Sequence, residues 1–173
     1  HYEALVRIAQ ASGETAYLVV RHGPRAICID RQRGGDADRA LAIEAGADFA
    51  LGAEAGGLAL LAWLPDAVRA TADQADAAAL QRLVAGARQD DHAFRHTGDG
   101  GRTAAATLGV PILDETGQPV AALAVIAAAD RLPQPRRADL ADLMWREARR
   151  IAVRRLGRPA ATSHDPRTGA AAP

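Results

Sequence analysis

Glu54 is the side chain whose position most invites chemistry. It precedes Ala55, Gly56 and Gly57, and then an apolar run, Leu58-Ala59-Leu60-Leu61-Ala62-Trp63-Leu64, that Pro65 stops. Glycines at such a point allow close backbone approach, a sharp turn into a helix and exposed N–H groups at its start. A carboxylate there has two roles open to it: to cap the helix under the influence of its dipole, or to meet a ligand.

Other chemistry-bearing residues are less well placed. His92 and His96 are four apart, a metal-ligand spacing only on a helix; Asp99 and the glycines after it argue instead for two exposed loop histidines. Gly98-Asp99-Gly100-Gly101 lacks the lysine and hydroxyl residue of a phosphate cradle and opens no helix, so it reads as a loop. Ser12 and Ser163 fall at a helix end and in a tail, not in a strained strand-to-helix elbow, which leaves a hydrolase unsupported. Cys28 sits in an apolar run without a basic neighbour and reads as a structural thiol. Arg146, Arg149, Arg150, Arg154 and Arg155 form a basic stripe, interleaved with Asp139, Asp142 and Glu147, and read as a solvated helix face.

The elements that must position these groups follow from composition and pattern. The 173 residues suffice for one domain with a real core. Hydrophobic residues make up 49% but aromatics only 3%, and every basic side chain is arginine. A formal net charge of zero gives no electrostatic case for nucleic acid or an anionic membrane. One cysteine cannot form an internal disulfide, and no run reaches membrane-spanning length, so a cytoplasmic domain is expected.

Helical spacing of Leu5, Ile8 and Ala9 predicts a helix over Tyr2–Ser12, ended by Gly13. Thr15–His22 and Arg25–Arg31 predict an antiparallel hairpin around Gly23-Pro24, with a third strand over Arg39–Glu44. The apolar helix before Pro65 is too hydrophobic to be solvated on any face and should be buried. A short helical turn at Pro65-Asp66, an amphipathic helix over Asp76–Gln89 and a polar loop or edge hairpin over Asp90–Arg102 come next. Thr103–Leu113 and Val120–Ala128 predict a second hairpin, and Arg137–Leu156 a terminal helix. The fold class is α+β: an antiparallel sheet flanked by helices. Ala160–Pro173 has no periodicity and reads as a flexible tail.

Gly13-Glu14-Thr15 before a strand, the Gly46–Pro65 segment, and Val110-Pro111-Ile112-Leu113-Asp114 with Gly117 and Val120-Ala121-Ala122-Leu123 together resemble one family. The ordered set, covering roughly residues 3 to 157, is similar to the C-terminal effector-binding domain of IclR-type bacterial transcription regulators. The resemblance implies a GAF-like domain over 1–158 with a tail over 159–173. It also implies no cofactor, no catalysis, a small organic effector, and a homodimer or homotetramer. DNA would be bound only through an N-terminal winged helix-turn-helix that is not in this chain.

Carried over position by position, the resemblance implies a ligand site made of Leu51, Gly52, Glu54, Ala55, Gly56 and Leu58, with Asp99, Thr107, Leu108, Ala124 and Ile126. Several usually polar positions differ: Gly52 and Glu54 stand in the segment before the helix, Leu58 replaces a lysine, and Ala124 and Ile126 replace small polar residues. Such a pocket is more apolar than usual, with a negative charge at its mouth. An anionic effector would be repelled unless the helix N–H groups or Arg102 compensate. The expectation is therefore a neutral or amine-bearing, partly apolar effector. The alternative is a protein–protein interaction or dimerisation module with a degenerate pocket, and an enzyme is the third reading, for which no nucleophile–base pair can be named.

Overall fold

A computed structural model describes residues 1–41, 43–69, 77–97 and 104–156. Its organising element is a six-stranded sheet in the order β3-β2-β1-β6-β5-β4, with every neighbouring pair antiparallel. The strands are β1 (Thr15–His22), β2 (Arg25–Arg33), β3 (Asp48–Ala50), β4 (Ala93–Thr97), β5 (Ala105–Leu113) and β6 (Pro119–Ala128). The helices are α1 (Tyr2–Ser12), α2 (Ala55–Trp63), α3 (Asp66–Arg69), α4 (Ala77–Gln89) and α5 (Gln134–Leu156).

Side chains alternate across a strand, so each strand feeds two cores. Ala16, Leu18, Leu108, Val110, Leu123 and Val125 pack under α1 and α5. Tyr17, Val19, Cys28, Ala93, Ala122 and Ala124 pack under α2 and α4. The two faces differ in size. On β5 and β6 the α5 side carries Leu and Val, whereas the α2 side carries Thr107, Gly109, Ala122 and Ala124. Small residues on that side let α2 lie close against the strands.

The predicted buried helix is α2, all of which is buried from Ala55 to Ala62. Its C-terminal carbonyls are met by arginines: Arg88 of α4 donates to Ala62 O at 2.6 Å, and Arg69 of α3 donates to Leu64 O at 2.7 Å. Positive groups there satisfy orphan carbonyls and complement the negative end of the helix.

One expectation needs correction, and one open alternative is decided. Arg39–Glu44 is not a strand: Arg39–Leu41 forms a 3-10 turn, and Leu41 and Ile43 pack against the α2-side core. The third strand lies later, at Asp48–Ala50, after a turn at Gly46 with φ +90°, a backbone angle that favours glycine. Within the polar segment 90–102, Ala93–Thr97 is an edge strand paired to β5, because Ala93 and Phe94 find apolar partners on opposite faces. The tail from 157 onward lies outside the described residues.

Candidate functional site

Glu54 is the N-cap of α2, extended at φ −133° and ψ 170°. Its side chain turns back onto the helix it starts. One carboxylate oxygen accepts from Gly56 N–H at 2.5 Å and from the Tyr17 hydroxyl at 2.6 Å. The other accepts from Gly57 N–H. Glu54 is only 5% exposed and Tyr17 is fully buried. Burial pushes the Glu54 carboxyl above the usual carboxylate range, opposed by the hydrogen bonds from Tyr17, Gly57 and Gly56. Tyr17 is driven well above the ordinary phenol range, first by burial and then by the adjacent Glu54 charge. Three donors converge on one carboxyl group, the arrangement that favours its ionised form.

The first turn of α2 is fixed to the sheet as well. Ala55 N–H donates to Thr107 Oγ1 at 2.9 Å. A Cβ on Gly109 would lie 2.5 Å from Ala55 O and 2.9 Å from Gly56 N. A Cβ on Gly56 would lie 2.7 Å from Val19 Cγ2 and 3.2 Å from the Ala124 Cβ. Glycine is required at 109 because the α2 backbone fills the space above it, and at 56 because the Val19 and Ala124 side chains and the Glu54 carboxylate do. Gly52, at φ +90°, similarly sits under Leu80 of α4.

The structure therefore brings Glu54, Ala55, Gly56, Thr107 and Ala124 into one joint, with Leu51, Gly52 and Leu58 beside it in the same packed layer. Ile126 lies on the same face, two residues along β6 from Ala124. Leu108 does not belong with them. It points to the opposite core, because a residue adjacent to Thr107 on a strand faces the other way. Asp99 and Arg102 fall outside the described residues. Tyr17, the partner of Glu54, was not singled out by sequence; its position in the alternating β1 run marks it as inward-facing, but its partner is 37 residues away.

The histidines also differ from expectation. His92 is buried rather than exposed, with Nδ1 2.8 Å from Asp90 O, and burial lowers its pKa. His96 is exposed on β4 and meets Phe94 edge-on at 5.0 Å. Neither belongs to a group of three or more metal-ligating side chains among the described residues. Cys28 is fully buried on β2, and its thiol is pushed up to about 11 by that burial. Away from this face, a groove of about 270 Å3 runs between α1 and α5, lined by Tyr2, Ala4, Arg7, Glu147, Ile151 and Arg154 among others. Its polar groups are tied in ion pairs: Arg7 and Arg150 hold Glu147, and Arg154 holds Glu3.

Comparison with known proteins agrees with this architecture. The crystal structure of an IclR from Thermotoga maritima superposes with a TM-score of 0.79 at 23% identity, covering 90% of this chain and 66% of that one. The C-terminal domain of a putative transcriptional regulator from Vibrio cholerae gives 0.71 at 21% identity, covering 86% of this chain and 91% of that one. The Agobacterium tumefaciens repressor BlcR gives 0.72 at 19% identity, covering 90% of this chain and 65% of that one. At these identities the likeness is one of fold, and this chain spans about two thirds of the length of the Thermotoga and Agobacterium proteins. No curated protein matches the chain. No helix among the described residues is long and apolar enough to cross a membrane. The family described as bacterial transcriptional regulator IclR C-terminal matches residues 2–153. Because that match spans most of the chain's length, this chain belongs to the IclR C-terminal family.

Proposed function

We propose that this chain is the effector-sensing domain of an IclR-type transcription regulator. Domains of this family generally bind effectors, and here the α2 face of the sheet is where a ligand would bear on the rest of the fold. The observation that carries the reading is the joint at the start of α2. Through Glu54, Tyr17, Thr107 and Gly109 it ties one helix to β1 and β5, so a ligand seated beside it biases several elements at once. The polar groups of the joint are occupied by one another, which leaves the neighbouring wall apolar. Ile126 keeps 8% of its surface exposed on this face, and Leu80 of α4 is half-buried against the same core. The effector is accordingly small and partly apolar, and it acts by binding two arrangements of the domain with different affinity rather than by being transformed. Homo-oligomerisation and DNA binding through a separate N-terminal module belong to this same proposal, as does a ligand-binding domain over 1–158.

A second reading has its own support. The close contacts at Gly56 and Gly109 leave no room between the first turn of α2 and the strands, as expected of an interaction module whose pocket has closed. Thermal-shift and calorimetric titration of the 173-residue chain against small organic acids, amides and aromatic alcohols separates the two. Saturable binding that raises the melting temperature supports the sensor. Absence of binding across the panel leaves the closed module.

A further inference from the structure

The two cores lie on opposite faces of the sheet, yet two side chains join them around its β4 edge. Trp63, at the end of α2, packs against the α2-side core, and Trp145, on α5, packs against the other. Their rings meet edge-on with centroids 6.0 Å apart. The chain has just two tryptophans, and both stand in this contact, in a protein whose cores are otherwise built of small and aliphatic side chains. Large rings reach across a gap that those residues cannot span, and an edge-to-face pair adds its own attraction.

The contact is one side of a closed ring. Trp145 Nε1 donates to Asp91 O at 2.6 Å, in the connection between α4 and β4, where Asp91 takes φ +56°. That connection continues the last turn of α4, since Asp90 N–H donates to Gly86 O at 2.9 Å. In the same turn Arg88 donates to Ala62 O at 2.6 Å and reaches Leu64 O at 3.5 Å, on either side of Trp63. The ends of α2 and α4 are thus tied to α5 without passing through the sheet.

The two ends of α2 are held differently. Its first turn lies against the β5 backbone at Gly109, and the Glu54 oxygens face Tyr17, Gly56 and Gly57 rather than a ligand. Its last carbonyls meet side chains, those of Arg69 and Arg88, and Trp63 is only half-buried. A helix fixed by backbone at one end and by side chains at the other moves as a lever, and the eight steps from Ala55 to Trp63 give an arm of roughly 12 Å. On its far side α5 can follow, because its tie to α1 is made by the exposed side chains of Arg7 and Arg150 on Glu147. We propose that α2 pivots on its N-terminal joint and that the Trp63–Trp145 bracket carries the movement around the β4 edge to α5. The inference rests on the sensor reading for its use, and adds the route by which occupancy of the α2 face reaches the opposite face. Its test needs no ligand, so its failure leaves the sensor reading standing, and a failed effector titration leaves the bracket standing.

Amide hydrogen exchange of the whole chain, read residue by residue by NMR, tests it with Arg69→Gln as the perturbation. Arg69 holds the end of α2 from α3 and, among the described residues, bonds to neither α4 nor α5. Its loss should speed exchange at 60–64 and, through the bracket, at 141–149 of α5, each by about threefold or more, the scale of one net hydrogen bond. Gly56 and Gly57 in the joint and residues 16–20 of β1 should keep their rates. In a Trp63→Leu background the same Arg69→Gln change should still reach 60–64 but no longer 141–149. Trp145→Leu supplies the same comparison from the α5 side, so one background that folds suffices, and neither ring is fully buried. No change at 141–149, an equal change with and without the Trp63 ring, or a uniform rise that includes β1 each overturns the inference, the last because the whole domain is then opening. An α2 end that ignores Arg69→Gln overturns it as well, since the lever must be movable there. Loss of folding in both backgrounds would make the contact a fixed staple, which also overturns it.

Discussion

Two buried glutamates, one on each face of the sheet, solve the same problem in opposite ways. Glu54 is 5% exposed and Glu147 is 1% exposed. Glu54 meets only dipoles: two backbone N–H groups and a phenol. Glu147, on α5, meets charges. Arg7 of α1 grips it with Nε at 3.1 Å and Nη2 at 2.8 Å, and Arg150 adds a third bond at 2.6 Å. Burial alone would raise the Glu147 carboxyl, but the Arg7 hydrogen bonds and the charges of Arg7 and Arg150 override it and hold it below the usual range. For Glu54 burial prevails. The difference lies in the partners' freedom. Those of Glu54 are fixed by the backbone of α2 and by a fully buried ring, whereas the side chains of Arg7 and Arg150 are 40% and 60% exposed. The α1/α5 face is fastened by an ionic clamp that can loosen into water. The α2 face is fastened by a joint that cannot.

The largest expected effect separates the two on that basis. Glu54→Ala strands three buried or helix-end donors and should cost about 3–5 kcal/mol, a large share of an ordinary domain's stability. Gly109→Ala drives a Cβ into the Ala55 backbone, which has no side-chain torsion with which to move aside, and should cost about 2–3 kcal/mol. Glu147→Ala should cost less, about 1–2 kcal/mol, because both arginines can swing their heads into solvent. Urea denaturation of the three variants gives the ranking. Equal costs for Glu54→Ala and Glu147→Ala would show that the joint on the α2 face yields as readily as the clamp.

The same contrast explains what the sequence could and could not convey. Periodicity locates α1, α4, α5 and both hairpins, and an unbroken apolar run after glycines locates α2, because each carries its own apolar pattern over eight or more residues. It misplaced β3, whose three residues, Asp48–Ala50, are too few to alternate, and left β4 undefined, because AFRHT divides its apolar side chains between two faces. The segment around Gly56 was readable as a close helix entry, since glycines before an apolar run have few other uses. That Glu54 would turn inward was one of two open roles, and only register decides between them: Tyr17 stands opposite Ala124, beneath Gly56. Leu108 was grouped with Thr107 although strand alternation separates them. The Arg7–Glu147 clamp spans 140 residues, and no local pattern announces it.

A titration gives the contrast a sign. The Glu54 carboxyl is raised from its reference of 4.5 and the Glu147 carboxyl is lowered from the same value. A raised carboxyl contributes stability that is fully present below the unfolded value and is lost as pH rises through the folded one. A lowered carboxyl contributes stability present above the unfolded value and lost as pH falls through the folded one. The advantage of wild type over Glu54→Gln should therefore shrink as pH rises from about 3.5 toward 7, while its advantage over Glu147→Gln should grow. Each slope is bounded by about 1.4 kcal/mol per pH unit for a single proton. Denaturation curves across that range test the pair together, and slopes of the same sign would remove the distinction between dipolar and ionic fastening.

Salt should produce the smallest effect and act on one face only. At about 0.5 M sodium chloride the screening length falls to between roughly 3 and 8 Å, short enough to reach the half-exposed guanidinium heads of Arg7 and Arg150. The penalty for Glu147→Gln should then drop by less than about 1 kcal/mol, as expected for pairs with solvent-accessible members. The outer contacts of the same network, Arg154 with Glu3 at 3.1 Å and Arg7 with Glu3 at 3.7 Å, weaken with it, so the α1–α5 groove becomes easier to open. Glu54 offers counter-ions no such access: its oxygens are enclosed by Tyr17, Gly56 and Gly57, and none of these partners carries a charge that salt could screen. The penalty for Glu54→Gln should stay constant with salt. A salt-dependent penalty at Glu54 would mean that water and ions reach the start of α2, and the joint would then be an open fastening like the clamp rather than a closed one.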